Sequence, residues 1–141
     1  MEIRRQSPFI STRIAGIPAG VSGKIHVVGR NDMAIPMTMG CTWVVKNPQG
    51  ITVETHTDDW AGWPVPTDVN PDDTHEFISP GSFDLNKAGT WTIAIGLFMN
   101  SDAPVEVASY SGVLCVVTAL AGTIVKKELE YDGDKKPIPV Y

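Results

Sequence analysis

Leu85-Asn86-Lys87-Ala88-Gly89-Thr90-Trp91-Thr92-Ile93-Ala94-Ile95-Gly96-Leu97 is the stretch whose reading decides the fold. A polar turn ending in Ala-Gly runs into a segment where Trp91, Ile93, Ile95 and Leu97 alternate with smaller residues. Successive side chains of a strand point to opposite faces, so this period of two turns one bulky apolar face toward a core. The segment reads as a central strand of a two-sheet sandwich. No other stretch fixes a chemistry in the way this one fixes an architecture.

The same period extends on both sides. Met37, Met39, Cys41, Trp43 and Val45 share one face of an upstream segment, with Thr38, Gly40, Thr42 and Lys46 on the other. Asn47-Pro48-Gln49-Gly50 is a turn, because Pro48 presets φ and Gly50 ends the turn or takes a positive φ. Ile51 to Thr57 alternates again and completes a predicted hairpin. Earlier strands are expected over Phe9–Ile17 and Gly23–Val28, and later ones over Thr74–Ile78, Ser82–Leu85, Val105–Ser109 and Gly112–Leu120. Asp58 to Asp73 is long for a loop, so it is either functional or a crossover between sheets. Lys126-Lys127-Glu128-Leu129-Glu130 has helix propensity, but its flanks favour an extended form. Pro137 and Pro139 forbid a continuing helix and favour polyproline II.

Composition agrees with an all-β globular chain. The 141 residues suit one domain; 43% are hydrophobic and 19% charged, and 13 Gly with 11 Pro imply many turns. No apolar run reaches the roughly 20 residues of a membrane-spanning helix. Met1 to Pro8 has two arginines and no apolar stretch behind them, so no signal peptide is expected. Net charge is −5. Between Lys46 and Lys87 lie Glu54, Asp58, Asp59, Asp68, Asp72, Asp73, Glu76 and Asp84, with no Lys or Arg. This lack of a basic face argues against nucleic-acid binding. The uneven charge favours head-to-tail contacts between copies.

The residue patterns resemble an immunoglobulin-like domain. Trp43 sits in Cys41-Thr42-Trp43-Val44-Val45 on an early central strand, and Leu85-x-x-Ala88-Gly89-x-Trp91-x-Ile93 is similar to the corner before that family's strand F. Here Trp91 stands where the family has Tyr, and Ile93 where it has its second Cys. No Cys lies near His26, so the family's inter-sheet disulfide is absent, and Cys41 and Cys115 are not its equivalents. They are either two buried thiols or one inter-strand disulfide. The resemblance implies an all-β fold, an immunoglobulin-like antiparallel β-sandwich over residues 1–121 with a short N-terminal arm. Residues 122–141 follow as an extended C-terminal arm or linker.

Candidate chemistry is sparse. His26, His56 and His75 lack the spacing of a metal motif, and Asp58, Asp59 and Glu76 read as a solvated acidic face. Asp68-Val69-Asn70-Pro71-Asp72-Asp73 departs from a calcium loop at Pro71 and reads as a turn. No nucleophile elbow or phosphate loop occurs. The reading therefore assigns no catalytic residue, no metal ligand and no cofactor. Trp60 and Trp63 could form a platform for a sugar ring or a partner, or fold back over an open end of the sandwich. Ile124, Val125, Leu129 and Tyr131 give the C-terminal arm apolar handles.

A single domain of this kind with arms at both ends is similar to the small accessory domains of tailed-phage capsids and tails. That likeness implies a non-enzymatic structural module that assembles with itself or decorates a particle. Its partners would be copies of itself or a particle scaffold. Its location would be a virion or other extracellular assembly, made in the cytoplasm without a signal peptide. The alternative is a carbohydrate- or cell-surface-binding module working through Trp60 and Trp63.

Overall fold

A computed structural model of the chain describes residues 14–138. The expected N-terminal arm, the start of the strand expected at Phe9, and Pro139 lie outside the described residues. Within them the fold is all-β. In chain order the strands are β1 (Ile14–Pro18), β2 (Val21–Gly23), β3 (His26–Arg30), β4 (Met39–Lys46), β5 (Thr52–Trp60) and β6 (Thr74–Ile78). They continue with β7 (Phe83–Leu85), β8 (Gly89–Met99), β9 (Val105–Thr118), β10 (Glu128–Tyr131) and β11 (Asp134–Pro137).

One sheet has five strands in the order β1-β9-β8-β4-β5. Its pairings are antiparallel except β1, which runs parallel to β9. Two short antiparallel ladders, β3 with β6 and β2 with β7, pack against it. They form one interrupted pair, because Gly23 to His26 and Ile78 to Phe83 are short breaks in the same two stretches of chain. The core lies between these layers. It joins Met39, Cys41, Trp43 and Val45 of β4 and Trp91, Ile93 and Met99 of β8 to Ile25, Phe77, Phe83 and Leu85 opposite.

The alternation in β4 and β8 thus becomes one packed face. Trp43 and Trp91 are fully buried, and burying a large aromatic dominates the local energetics, since truncating one to Ala costs about 3–5 kcal/mol. Trp91 stacks near Phe83, with ring centroids 6.2 Å apart. Its indole N–H donates to the Lys87 carbonyl at 2.9 Å. Gly89, the glycine of the Ala-Gly turn, has φ 127, and a Cβ there would lie 2.9 Å from Pro48 Cβ. Only glycine fits that corner, which fixes how the turn feeds β8.

Side-chain hydrogen bonds fix the turns. Asn47 Oδ1 accepts the N–H groups of Gln49 and Ile51, closing the β4–β5 hairpin. Asn31 is fully buried. Its Nδ2 donates to the carbonyls of Ile35 and Val69, and its Oδ1 accepts from Met33 N. This anchors the long connection after β5, which carries the chain from the five-stranded sheet to β6 and so is a crossover between layers.

Several elements differ from expectation. The segment read as one strand at Gly23–Val28 divides between β2 and β3. The two strands expected over 105–120 are one 14-residue strand, β9, with Gly112 inside it. Bulges at Val107 and Leu114 let this strand stay paired along its length. β5 runs on to Trp60, so Trp60 lies in the sheet and not in the loop. The tail folds as the hairpin β10–β11. A tight turn at Asp132-Gly133, both with positive φ, explains it, and these are residues that tolerate that region.

Candidate binding surfaces

β5 is an edge strand of the five-stranded sheet, and two irregularities shape it. Lys46 pairs with Thr52 but Val45 with Glu54, leaving Val53 as an extra residue. Trp43 pairs with His56 but Cys41 with Asp59, so Thr57 and Asp58 together face Thr42. Asp58 has φ 55, a left-handed value that Asp accepts more readily than most residues. Bulges of this kind re-aim side chains.

Polar residues of β5 consequently sit on the inward side. Trp43 Nε1 donates to Glu54 Oε2 at 2.6 Å, and Ser79 Oγ donates to the same oxygen at 2.9 Å. Ser79 Oγ in turn accepts from Ile25 N at 3.0 Å. This chain ties the edge of one sheet to the break in the other. His56 stacks on Trp43 with centroids 4.1 Å apart and is 2.7 Å from Asp59 Oδ2. His75 instead packs edge-on to Phe77 from β6. His56 and His75 therefore do not converge, and among the described residues no three His, Cys, Asp or Glu side chains gather as a metal site would need.

Past the second bulge, Trp60 turns to the outer face of the sheet. A Cβ on Gly40 would lie 2.7–2.8 Å from Trp60 Cδ2, Cε2 and Cε3. Three ring atoms at nearly equal distance mean that the indole lies flat over the Gly40 backbone. Gly40 pairs with Phe98 and Thr42 with Gly96. Over Gly96 converge Glu106 Oε2, Phe98 Cε1 and Thr42 Oγ1, at 2.7, 2.9 and 3.2 Å from the place a Cβ would take. Two glycines on adjacent strands thus leave notches that two aromatic rings and a carboxylate occupy. Between them is a cavity of ≈ 160 Å³ lined by Gly40, Thr42, Asp58, Asp59, Trp60, Phe98 and Pro104, with Cys41 behind. Among the described residues no lysine or arginine lines it.

Trp63 is elsewhere in character: it is 90% exposed. The two tryptophans do not share one environment, since Trp60 is half-buried on the sheet and Trp63 stands in the connection after it.

The C-terminal arm is the other notable surface. Ile124 is 78% exposed, Val125 91%, Leu129 59% and Tyr131 52%. In the hairpin Leu129 lies opposite Lys136 and Tyr131 opposite Asp134. Directly opposed residues share a face, so Leu129, Tyr131, Lys136 and Asp134 form one side, and Glu128, Glu130, Lys135 and Pro137 the other.

A third surface is an apolar groove between β2–β3 and the β8–β9 side. Its largest part, ≈ 410 Å³, is lined by Ile14, Ile25, Val27, Ile93, Ile95, Tyr110 and Leu114, among others. Ile95 and Leu97 are only partly buried, and Leu97 lies against Gly29 of β3, where a Cβ would come within 2.8 Å of it.

The two cysteines are free, buried thiols. Burial, then the nearby Asp59 charge, pushes the Cys41 thiol up to about 11, and burial also raises Cys115. Both are unreactive by position.

Trp60, Trp63, Ile124, Val125, Leu129 and Tyr131 are legible in the sequence as candidate surface residues, whereas Gly40, Gly96, Phe98 and Glu106 come together only in the fold. A signal was present: Gly40 and Gly96 sit inside strands between bulky residues, where glycine marks a close approach. Compared with known proteins, the chain matches no family model, no curated protein and no solved structure.

Proposed function

We propose that this chain is a non-enzymatic, immunoglobulin-like structural module that assembles with copies of itself or decorates a larger particle through its C-terminal arm. The observation that carries the reading is the arm itself. Ile124, Val125, Leu129 and Tyr131 all lie more than half exposed on a segment outside the core. Fully burying one such side chain stabilises by about 1.5–3 kcal/mol, so an arm left in water forgoes a gain that a partner would supply. The hairpin also offers strand edges for backbone pairing, which gives affinity while side chains set register.

Topology supports the immunoglobulin-like part of the reading: β1 runs parallel to β9, and the sheet ordered β9-β8-β4-β5 faces the β2/β3 with β6/β7 pair, an arrangement similar to that architecture. The Trp91 indole bonding back to the Lys87 carbonyl resembles the corner interaction that Tyr makes in the family. A virion-type setting belongs to the same proposal.

Deleting residues 122–141 tests it. The core residues all precede the arm, so the truncated chain should remain folded by near-ultraviolet circular dichroism yet sediment as a monomer. If it assembled like the full chain, the reading would fail. The exposed Trp63 favours a second reading, a glycan-binding surface. There, Trp63→Ala should abolish retention on the cognate glycan while leaving stability unchanged, and unaltered retention would dismiss Trp63 as the contact.

A further inference from the structure

The outer-face cavity has a chemistry that the assembly reading does not use. Its walls are aromatic, from Trp60 and Phe98, and its rim is acidic, from Asp58 and Asp59, with Glu106 beside Phe98. No Lys or Arg lies between Lys46 and Lys87 to offset them, and His56 is hydrogen-bonded to Asp59 alone among these carboxylates. Ring faces carry negative potential and attract ammonium and guanidinium groups, more so when carboxylates stand alongside. The space is small, ≈ 160 Å³, which suits the end of one side chain better than a folded surface.

The arm hairpin carries the complement. Lys135 lies opposite Glu130, so that side of the hairpin is charge-matched. Lys136 lies opposite Leu129, on the side that also carries Tyr131 and Asp134. Beside the exposed Leu129 and Tyr131, Lys136 presents a cation whose apolar stem can pack with them against a partner. Among the described residues neither Lys135 nor Lys136 is in an ion pair, but only Lys136 shares its side with the exposed Leu129 and Tyr131.

Resting on the assembly reading above, we propose that Lys136 of one copy enters the Trp60–Phe98–Asp58 cavity of the next, with Leu129 and Tyr131 seated against the aromatic rims. The contact is heterologous: a surface near the end of the chain meets a surface on the five-stranded sheet. Repetition of it produces a ring or a filament, and reciprocal exchange of the hairpins between two copies produces a two-fold dimer.

The test uses the full chain in sedimentation equilibrium. Lys136→Gln and Asp58→Asn should each weaken association about tenfold, and the double variant should weaken it no further than either alone. Lys136→Arg should recover association, because guanidinium also stacks on aromatic rings. Lys135→Gln, on the other side of the hairpin, should associate like the parent. Association should also fall as salt rises. A photoreactive side chain at position 136 should cross-link to the strip around Trp60 and Phe98. If Lys136→Gln associates normally while deletion of 122–141 abolishes assembly, this inference is wrong and the assembly reading stands. Cross-links to Tyr110 or Ile95 in the apolar groove would likewise overturn the assignment. Assembly without the arm would overturn both.

Discussion

Replacing Ser79 by Ala should destabilise this protein far more than the loss of one hydroxyl suggests. Ser79 is buried, and its Oγ does two tasks: it accepts from Ile25 N at 3.0 Å and donates to Glu54 Oε2 at 2.9 Å. Alanine leaves the Ile25 N–H with no partner at a buried site. An orphaned buried donor costs about 1–3 kcal/mol. The Glu54 carboxylate keeps Trp43 Nε1 but loses a hydrogen bond of the charged class, worth about 1.5–3 kcal/mol. The two effects overlap, so about 2–4 kcal/mol in total is expected. For a domain of this size each kcal/mol lowers Tm by about 3–5 °C, which places the shift near ~10 °C. Urea unfolding followed by tryptophan fluorescence reads it directly, with the exposed Ser82→Ala as a control that should change stability by less than ~0.5 kcal/mol. Glu54→Ala should be costly too, and the double variant should cost clearly less than the sum, because both single changes break the same chain of bonds. A Ser79→Ala loss within ~0.5 kcal/mol of zero, or strict additivity with Glu54→Ala, would refute the account of a connected network between the layers.

The remaining expectations are simpler. Gly40→Ala should push Trp60 off the sheet, since its new methyl would lie 2.7–2.8 Å from the ring. A loss of about 1–3 kcal/mol is expected, with a change in near-ultraviolet circular dichroism, and an unchanged spectrum would count against the flat placement of the indole. Cys41 should make the protein less stable in alkali. Its folded-state value is raised from 9.0 to about 11, so above pH 9 the unfolded thiol loses its proton first and unfolding is favoured. The contribution is intact below pH 9 and falls by about 1.4 kcal/mol per pH unit across that window. Urea midpoints from pH 8 to 11 check it, because Cys41→Ala should flatten the decline relative to the parent. A disulfide reagent should react with neither cysteine until the protein is unfolded, and rapid reaction of the native chain would show that the burial assigned to them is wrong.

Much of the fold was legible because strand periodicity is a local property. Trp91 and Ile93, and Met39 through Val45, announce their buried face by alternation alone, and the Ala88-Gly89 turn announces the corner before β8. The all-β class follows from those residues and from the turn-forming glycines and prolines. Less legible was β5. Its apolar positions, Ile51 and Val53, suggest one inward face, yet Glu54 and His56 point toward Trp43. Two bulges shift its register, and a one-residue shift moves every later side chain to the other face. No local signal in Thr52 to Trp60 gives the positions of those bulges, because pairing with β4 selects them.

The surfaces divide the same way. The apolar content of the arm was visible at Ile124, Val125, Leu129 and Tyr131. Its hairpin register, which puts Lys136 beside Leu129, was not. Trp60 and Trp63 stand three residues apart and look alike in sequence; only the sheet separates them, by laying one on Gly40 and leaving the other in solvent. The sequence by itself determined the all-β class, that Trp43 and Trp91 enter the core, and that positive charge is missing from the middle of the chain. Tertiary structure alone decided where the glycine notches meet, which carboxylates flank the aromatic cavity, and how Ser79 joins the layers. Alternation and turn propensity act between near neighbours along the chain, whereas Gly40, Phe98 and Glu106 are brought together by hydrogen-bond register between strands far apart in sequence.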